Sequence, residues 1–344
     1  MARRIDVIGA GGLRLAAWEF GDPPKPDDSD RSGGPDGGHR GDGAEGAGGS
    51  DEPADGGDEP GASGGAGPSG RGPGVLLLHG LMGRASHWAP TARWLSARHR
   101  AVALDQRGHG RSDKPPQGAH TREVYVEDAE AALEQLGLGP AVLVGHAMGA
   151  LTAWQLAAKR PDLVRALIIC DMRASALGGA SQHVWREWFR AWPVPFATLA
   201  DVRKWFGGDD PWMEHPNPAR GEFYAEVMAE SPDGWRPVFD PEHMLRTRET
   251  WVHDAHWEEL AQVRCPTLVV RGLDGELGRA EAQEMVRVLP RGRYAEVADA
   301  GHLVHYDQPE AWRAAILPFL DGLGEAGEGV EAGGTGVPES TGAP

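Results

Sequence analysis

The sequence predicts an α/β fold, a mostly parallel sheet flanked by helices with an inserted helical cap, and three observations carry that prediction. Short, continuously apolar runs alternate with helical patterns, as in strands buried on both faces by crossover helices. A tryptophan-rich, proline-segmented stretch between residues 174 and 264 interrupts the alternation, which then resumes. Of the 50 glycines, 26 lie in two stretches that leave one long foldable remainder.

The first of these stretches, residues 22–74, holds 18 glycines, 8 prolines and 12 acidic residues, and contains no Ile, Leu, Val, Met, Cys, Phe, Tyr or Trp. Such a segment has nothing with which to offset the entropy lost on folding, so it is expected to be a disordered acidic insertion. Residues 322–344, with 8 glycines and 4 glutamates, are expected to be a disordered tail. The core is therefore assigned to residues 1–21, 75–173 and 265–321, and the cap to 174–264.

In chain order, residues 5–8 and 13–20 read as a hairpin broken by Gly9, Gly11 and Gly12. Residues 75–78 form an apolar strand that stops at His79-Gly80. A helix over 87–96 leads to a second buried strand at 101–104. After a turn-rich loop, Thr121 can cap a helix reaching Leu136. Residues 141–144 are the third buried strand, 148–159 a helix, and 166–170 the fourth strand. The cap contains 8 of the 13 tryptophans, with helical patterns near 182–190, 200–206 and 221–228. The strand at 267–270, the helix at 280–288, the strand at 293–297 and the helix at 309–320 complete the pattern.

The formal charge of −17 argues against a nucleic-acid partner, because a phosphate backbone requires a basic surface. No apolar run is long enough to span a membrane, and the amino terminus lacks a cationic-then-apolar leader pattern, so a soluble cytoplasmic protein is expected. Cys170 and Cys265 read as small buried hydrophobes. No metal-ligand cluster or nucleotide fingerprint is evident. Gly9-Ala10-Gly11-Gly12 has no helix behind it and reads as a turn, so no cofactor is expected. A homodimer is the assembly considered.

The most specific local signal is Gly145-His146-Ala147-Met148-Gly149, placed between a buried strand and a helix. Glycines two residues either side of a central position permit a sharp strand-to-helix turn that projects the central side chain. That side chain is a methyl group, which cannot attack a carbonyl.

Together with Leu76-Leu77-Leu78-His79-Gly80, the loop from Asp105 through Gln106-Arg107-Gly108-His109-Gly110-Arg111 to Ser112, and Ala300-Gly301-His302, this elbow resembles the α/β-hydrolases. The resemblance covers the roughly 268 residues left after the two Gly-rich stretches are set aside. It implies that Ala147 stands at the nucleophile position, that His302 is the general base, and that the backbone N–H groups of Leu81 and Met148 form an oxyanion hole. His79 and His109 would shape the surrounding loops, His146 would flank the entrance, and His305 would be structural or pocket-lining.

The resemblance most often places the acid at the position of Gly275, which cannot serve. Asp274 is the first choice after a small loop shift, Asp171 after the preceding strand is the second, and Glu276 is the third. Two accounts of Ala147 stand side by side: a serine deliberately replaced to hold a ligand without turnover, or a natural alanine in a protein with non-covalent chemistry or binding alone. With serine at this position the resemblance implies hydrolysis of an ester, lactone or thioester. The aromatic cap points to a hydrophobic small-molecule substrate, with Trp185, Trp188, Trp192, Phe196 and Met213 as contacts. An aspartate nucleophile, as in epoxide hydrolases and haloalkane dehalogenases, is absent from the elbow.

Overall fold

The computed structural model describes residues 2–21, 72–115 and 120–328. The insertion assigned to 22–74 therefore lies outside the described residues except for its last three positions, and the tail lies outside them from residue 329.

The amino-terminal hairpin pairs β1 (Arg3–Ile8) with β2 (Arg14–Phe20), and a 3-10 turn at Ala10–Gly12 connects them. Gly11 and Gly12 have φ of 69° and 77°, a region closed to most other residues, which explains the glycine run without invoking a phosphate. Then follow β3 (Gly72–Leu78), α1 (Ala89–Leu95), β4 (His99–Asp105), α2 (Arg122–Gln135), β5 (Ala141–His146), α3 (Met148–Lys159) and β6 (Val164–Cys170). After the cap come β9 (Thr267–Gly272), α9 (Arg279–Val288), β10 (Gly292–Val297), α10 (Val304–Asp307) and α11 (Pro309–Glu328).

Among the described residues eight strands form one sheet in the order β1-β2-β4-β3-β5-β6-β9-β10. β2 is antiparallel to both neighbours, and every pair from β4 to β10 is parallel. Apolar runs are needed because both faces are covered: along β3, Leu76 and Leu78 enter one core while Val75 and Leu77 enter the other. The first core includes Trp154 of α3 and the second includes Trp88 and Trp312, all fully buried.

The chain passes from β3 to β4 on one side and then to β5 on the other. That reversal opens a crevice at the carboxyl ends of β3 and β5, where α/β sheets bind ligands. Its neighbouring loop is pinned from below. Asp105 accepts hydrogen bonds from the Ala85 and Arg111 amides at 2.7 and 2.9 Å, and buried Arg107 pairs with buried Asp128 at 2.6 Å. The loop motif from Asp105 to Ser112 is thus scaffolding for the site.

Several element ends differ from the sequence expectation. β3 begins at Gly72, because its edge pairing with His99 of β4 needs backbone only. α11 continues to Glu328, past both its expected end and the start assigned to the tail. Thr121 takes the cap position of α2 without its side chain bonding a helix amide.

The cap consists of α4 (Gly178–Ala191), α5 (Leu199–Lys204), α6 (Pro218–Glu226), the hairpin β7 (Met228–Ser231) and β8 (Gly234–Pro237), α7 (Pro241–Val252) and α8 (Trp257–Gln262). The hairpin, α7 and α8 extend the three helices read from sequence. A third hydrophobic core holds the cap together around Trp188, Trp192, Phe196, Phe206 and Tyr224, with Phe206 and Tyr224 stacked at 4.1 Å. No helix among the described residues is long and apolar enough to cross a membrane.

Candidate active site

Parallel strands deliver their carboxyl ends to one edge of the sheet, and the candidate residues follow those ends. In register, Leu78 lies beside Gly145, His146 beside Cys170, and Cys170 beside Val270. His79-Gly80, Ala147, Asp171 and the loop after β9 are thereby brought together, with His302 arriving from the loop after β10. A cavity of about 370 Å³ opens here between sheet and cap.

Ala147 sits in the elbow with φ 47° and ψ −119°, outside the regions comfortable for a residue with a Cβ. The flanking glycines are required by contact. A Cβ on Gly145 would lie 2.4 Å from Ala150 Cα, and one on Gly149 would lie 2.3 Å from the Leu78 carbonyl oxygen. The turn therefore presents the Ala147 methyl group to the cavity at the positive end of α3.

Leu81 and Met148 line the same cavity, and neither amide N–H has a hydrogen-bond acceptor among the described residues. Gly80 lets the two segments approach, because a Cβ there would fall 3.2 Å from Ala147 Cβ. Two unused donors beside the elbow can receive negative charge developing on an oxygen.

His302 Nδ1 lies 2.8 Å from Asp171 Oδ2, which fixes the ring with Nδ1–H donating and leaves Nε2 as the basic nitrogen. Burial pulls the His302 pKa down, but the charge of Glu276, the hydrogen bond and charge of Asp171, and Asp307 outweigh it and push the value up to about 9. Asp171 is buried at φ 45° and is further held by the Glu276 amide at 2.8 Å. Of the three carboxylates considered, His302 bonds Asp171. Asp274, the first choice from sequence, is exposed and makes no hydrogen bond to His302, because its loop turns the side chain to solvent. Glu276 lines the cavity and acts on His302 through its charge.

The four other histidines singled out from the sequence, His79, His109, His146 and His305, are all buried around the site. His146, expected at the entrance, is buried and donates from Nε2 to the His302 carbonyl oxygen at 2.8 Å, so it positions the loop that carries His302. His79 Nε2 accepts from the Gln106 amide at 3.0 Å and its Nδ1 meets the Gly80 carbonyl at 2.7 Å. Burial lowers its pKa to about 4, so it is neutral and rigid. His109 Nε2 accepts from the Met82 amide at 3.2 Å, and burial lowers its pKa to about 3. His305 is buried against Trp88, with ring centroids 3.9 Å apart, and does not reach the cavity.

Among the cap residues expected at the ligand, Trp185 and Trp188 line the cavity. Trp192 and Phe196 instead pack inside the cap, where Trp192 meets Phe206 edge-on at 4.8 Å, and Met213 Sδ lies 3.0 Å from Arg220. The faces of Trp192 and Phe196 are taken by cap packing, a choice that composition does not reveal. Asp307 is an addition: it accepts from the Gly301 amide at 2.9 Å and from Asn217 Nδ2 at 3.0 Å, linking the His302 loop to the cap. Arg248 is another, carried by α7. Its sequence signal was the start of that helix, Asp240-Pro241-Glu242, where Asp240 accepts from the Glu242 amide at 2.8 Å.

The chain is similar to known proteins along most of its length. A relative, 2-(acetamidomethylene)succinate hydrolase of Mesorhizobium japonicum, is 32% identical over 263 residues, covering 73% of this chain and 89% of its own. A solved E-2-(acetamidomethylene)succinate hydrolase superposes with a TM-score of 0.69 at 25% identity, covering 93% of this chain and 99% of the other. The enol-lactonase of Burkholderia xenovorans LB400 gives 0.60 at 25% identity over 73% and 92% of the two chains. These relatives are hydrolases, and the model of the alpha/beta hydrolase family matches residues 75–315. With that match over most of its length and a relative 32% identical, the chain belongs to the alpha/beta hydrolase family.

Proposed function

We propose that this site is the frame of a nucleophilic acyl hydrolase acting on an ester, lactone or thioester, complete except for the attacking oxygen at residue 147. The observation that carries the reading is the convergence on one cavity of a strained elbow, two amides without acceptors, and a histidine held by a buried carboxylate.

With serine at 147, the hydroxyl attacks the acyl carbonyl while His302 Nε2 takes its proton. The Leu81 and Met148 N–H groups hold the resulting oxyanion. Collapse of the adduct expels the leaving group, which receives the proton back from His302 and departs. Water then attacks the acyl-enzyme, again giving a proton to His302, and the released serine recovers it. Asp171 keeps the imidazole in the required tautomer and stabilises its charged form.

A second reading is favoured by Ala147 itself. The donors and the His302–Asp171 pair are complete without any oxygen at 147, and they suffice to move a proton and to hold an enolate. Ala147→Ser distinguishes the two. On the acyl-transfer reading this variant hydrolyses members of a panel of short esters and lactones, and adding His302→Ala abolishes the activity. A serine variant that neither hydrolyses nor becomes acylated by any of them overturns the reading.

A further inference from the structure

Among the described residues three arginines border the cavity, and they differ in what neutralises them. Arg173 Nε donates to Glu281 Oε2 at 2.9 Å. Arg220 pairs with Asp210, a buried carboxylate that also accepts from Trp188 Nε1 at 2.9 Å. Arg248 has no such partner. Its Nη1 donates to Gln182 Oε1 at 2.7 Å and its Nη2 to Ser181 Oγ, both neutral acceptors on α4.

Gln182 is not free to turn away, because its Nε2 donates to the Leu245 carbonyl at 2.7 Å. The Arg248 guanidinium is thereby fixed at one edge while its carbon lies 4.8 Å from the Trp185 ring centroid, and both residues line the cavity. The residue is 3% exposed. Burial lowers its pKa to about 10, with Glu276 and Glu249 opposing that shift through their charges, so the group is cationic at neutral pH. A buried cation whose hydrogen bonds go only to neutral acceptors is costly, and a guanidinium with five donors has several left to offer a planar anion.

We infer that Arg248 is a specificity-determining residue that receives a carboxylate carried by the substrate, with Trp185 packing against the carbon skeleton beside it. This refines the expectation of a purely hydrophobic ligand: the cavity suits a small acid with an apolar body. As a statement about an acyl substrate it rests on the hydrolase reading above, but the carboxylate site itself can be tested in the chain with Ala147 in place.

The experiment titrates the unmodified chain calorimetrically with succinate, glutarate and adipate, and with the corresponding diamides. At least one dicarboxylate binds, its diamide does not, and Arg248→Met weakens that binding by at least about 30-fold, as expected when one member of a buried charge pair is removed. Arg248→Lys keeps the charge and retains the preference for acid over amide, so the site remains testable should the methionine variant loosen α4 from α7. A second arm measures kcat/KM of Ala147→Ser on monomethyl and dimethyl succinate. The charged ester is preferred, and Arg248→Met removes the preference through KM. Failure of every dicarboxylate to bind, equal binding of the diamides, or unchanged affinity in both Arg248 variants overturns the inference. If the serine variant hydrolyses neither ester while acid binding still depends on Arg248, the hydrolase reading fails and the carboxylate site stands.

Discussion

The Asp171 carboxylate fills the space that a side chain at Gly275 would need: a Cβ built there would lie 2.5 Å from Oδ1 and 2.7 Å from Oδ2. The loop after β9 wraps a carboxylate supplied by β6, and its Glu276 amide bonds that carboxylate at 2.8 Å. The position from which the family resemblance most often draws the acid is therefore bare, and the group facing His302 comes from the adjacent strand.

Gly275→Ala is expected to destabilise the fold by about 1–3 kcal/mol, the usual cost of forcing atoms into a packed site. The clash is with one side chain, so Asp171→Ala should recover much of that loss, giving a strongly non-additive double-mutant cycle in urea denaturation. Simple additivity of the two substitutions would show that residue 275 is constrained by something else.

In an Ala147→Ser background, Asp171→Asn should lower kcat by up to about 10⁴-fold, because an amide facing Nδ1 favours the wrong imidazole tautomer. Asp274→Asn should leave kcat nearly unchanged, since that exposed side chain makes no hydrogen bond to His302. Steady-state kinetics on a single ester separates the two, and the reverse ranking would return the acid to the loop after β9.

These two carboxylates also mark how far the sequence could be read. Strands 75–78, 141–144 and 166–170 were legible because burial on both faces demands unbroken apolar runs, and the elbow because its glycines answer to backbone contacts. The choice of acid was hidden: Cys170 and Val270 are register partners, so Asp171 and Asp274 leave neighbouring strand ends and only loop conformation separates them. The cap obscured more. Trp188 and Trp192 belong to one aromatic network, yet only Trp188 reaches the cavity, a matter of helix rotation that composition cannot express. Arg248 lies on a helix whose buried face mixes Met244 and Leu245 with Thr247 and Arg248, which dilutes the apolar periodicity.

The raised His302 pKa gives a pH signature. On the acyl-transfer reading the neutral imidazole is the active form, so kcat/KM of Ala147→Ser should climb with pH through a midpoint near 9. Burial opposes the shift and the negative charge of Glu276 does most to raise it, so Glu276→Gln should move the midpoint to lower pH. The same shift affects stability. A histidine whose pKa rises from 6.5 to about 9 on folding contributes stability that is fully present below 6.5 and is lost as pH rises through about 9. Denaturation midpoints measured across that window should fall in the parent chain and flatten in His302→Gln; a parallel fall in both would place the titration elsewhere.

The elbow itself stores strain that can be measured without any substrate. Ala147 holds φ 47° and ψ −119°, where a Cβ costs about 1–3 kcal/mol and glycine is tolerated at little cost. Glycine loses about 0.5–1 kcal/mol more backbone entropy than alanine on folding, and the removed methyl group, 8% exposed, forfeits some burial as well. Strain relief outweighs these losses, so Ala147→Gly should raise the unfolding free energy by up to about 1 kcal/mol, although glycine normally weakens an element it enters. Ala150, inside α3, supplies the control: Ala150→Gly should lower stability by about 1 kcal/mol or more. Opposite signs for the two substitutions in the same urea titration would confirm that residue 147 is held in a conformation imposed by its surroundings, and equal destabilisation would show that the turn carries no such strain.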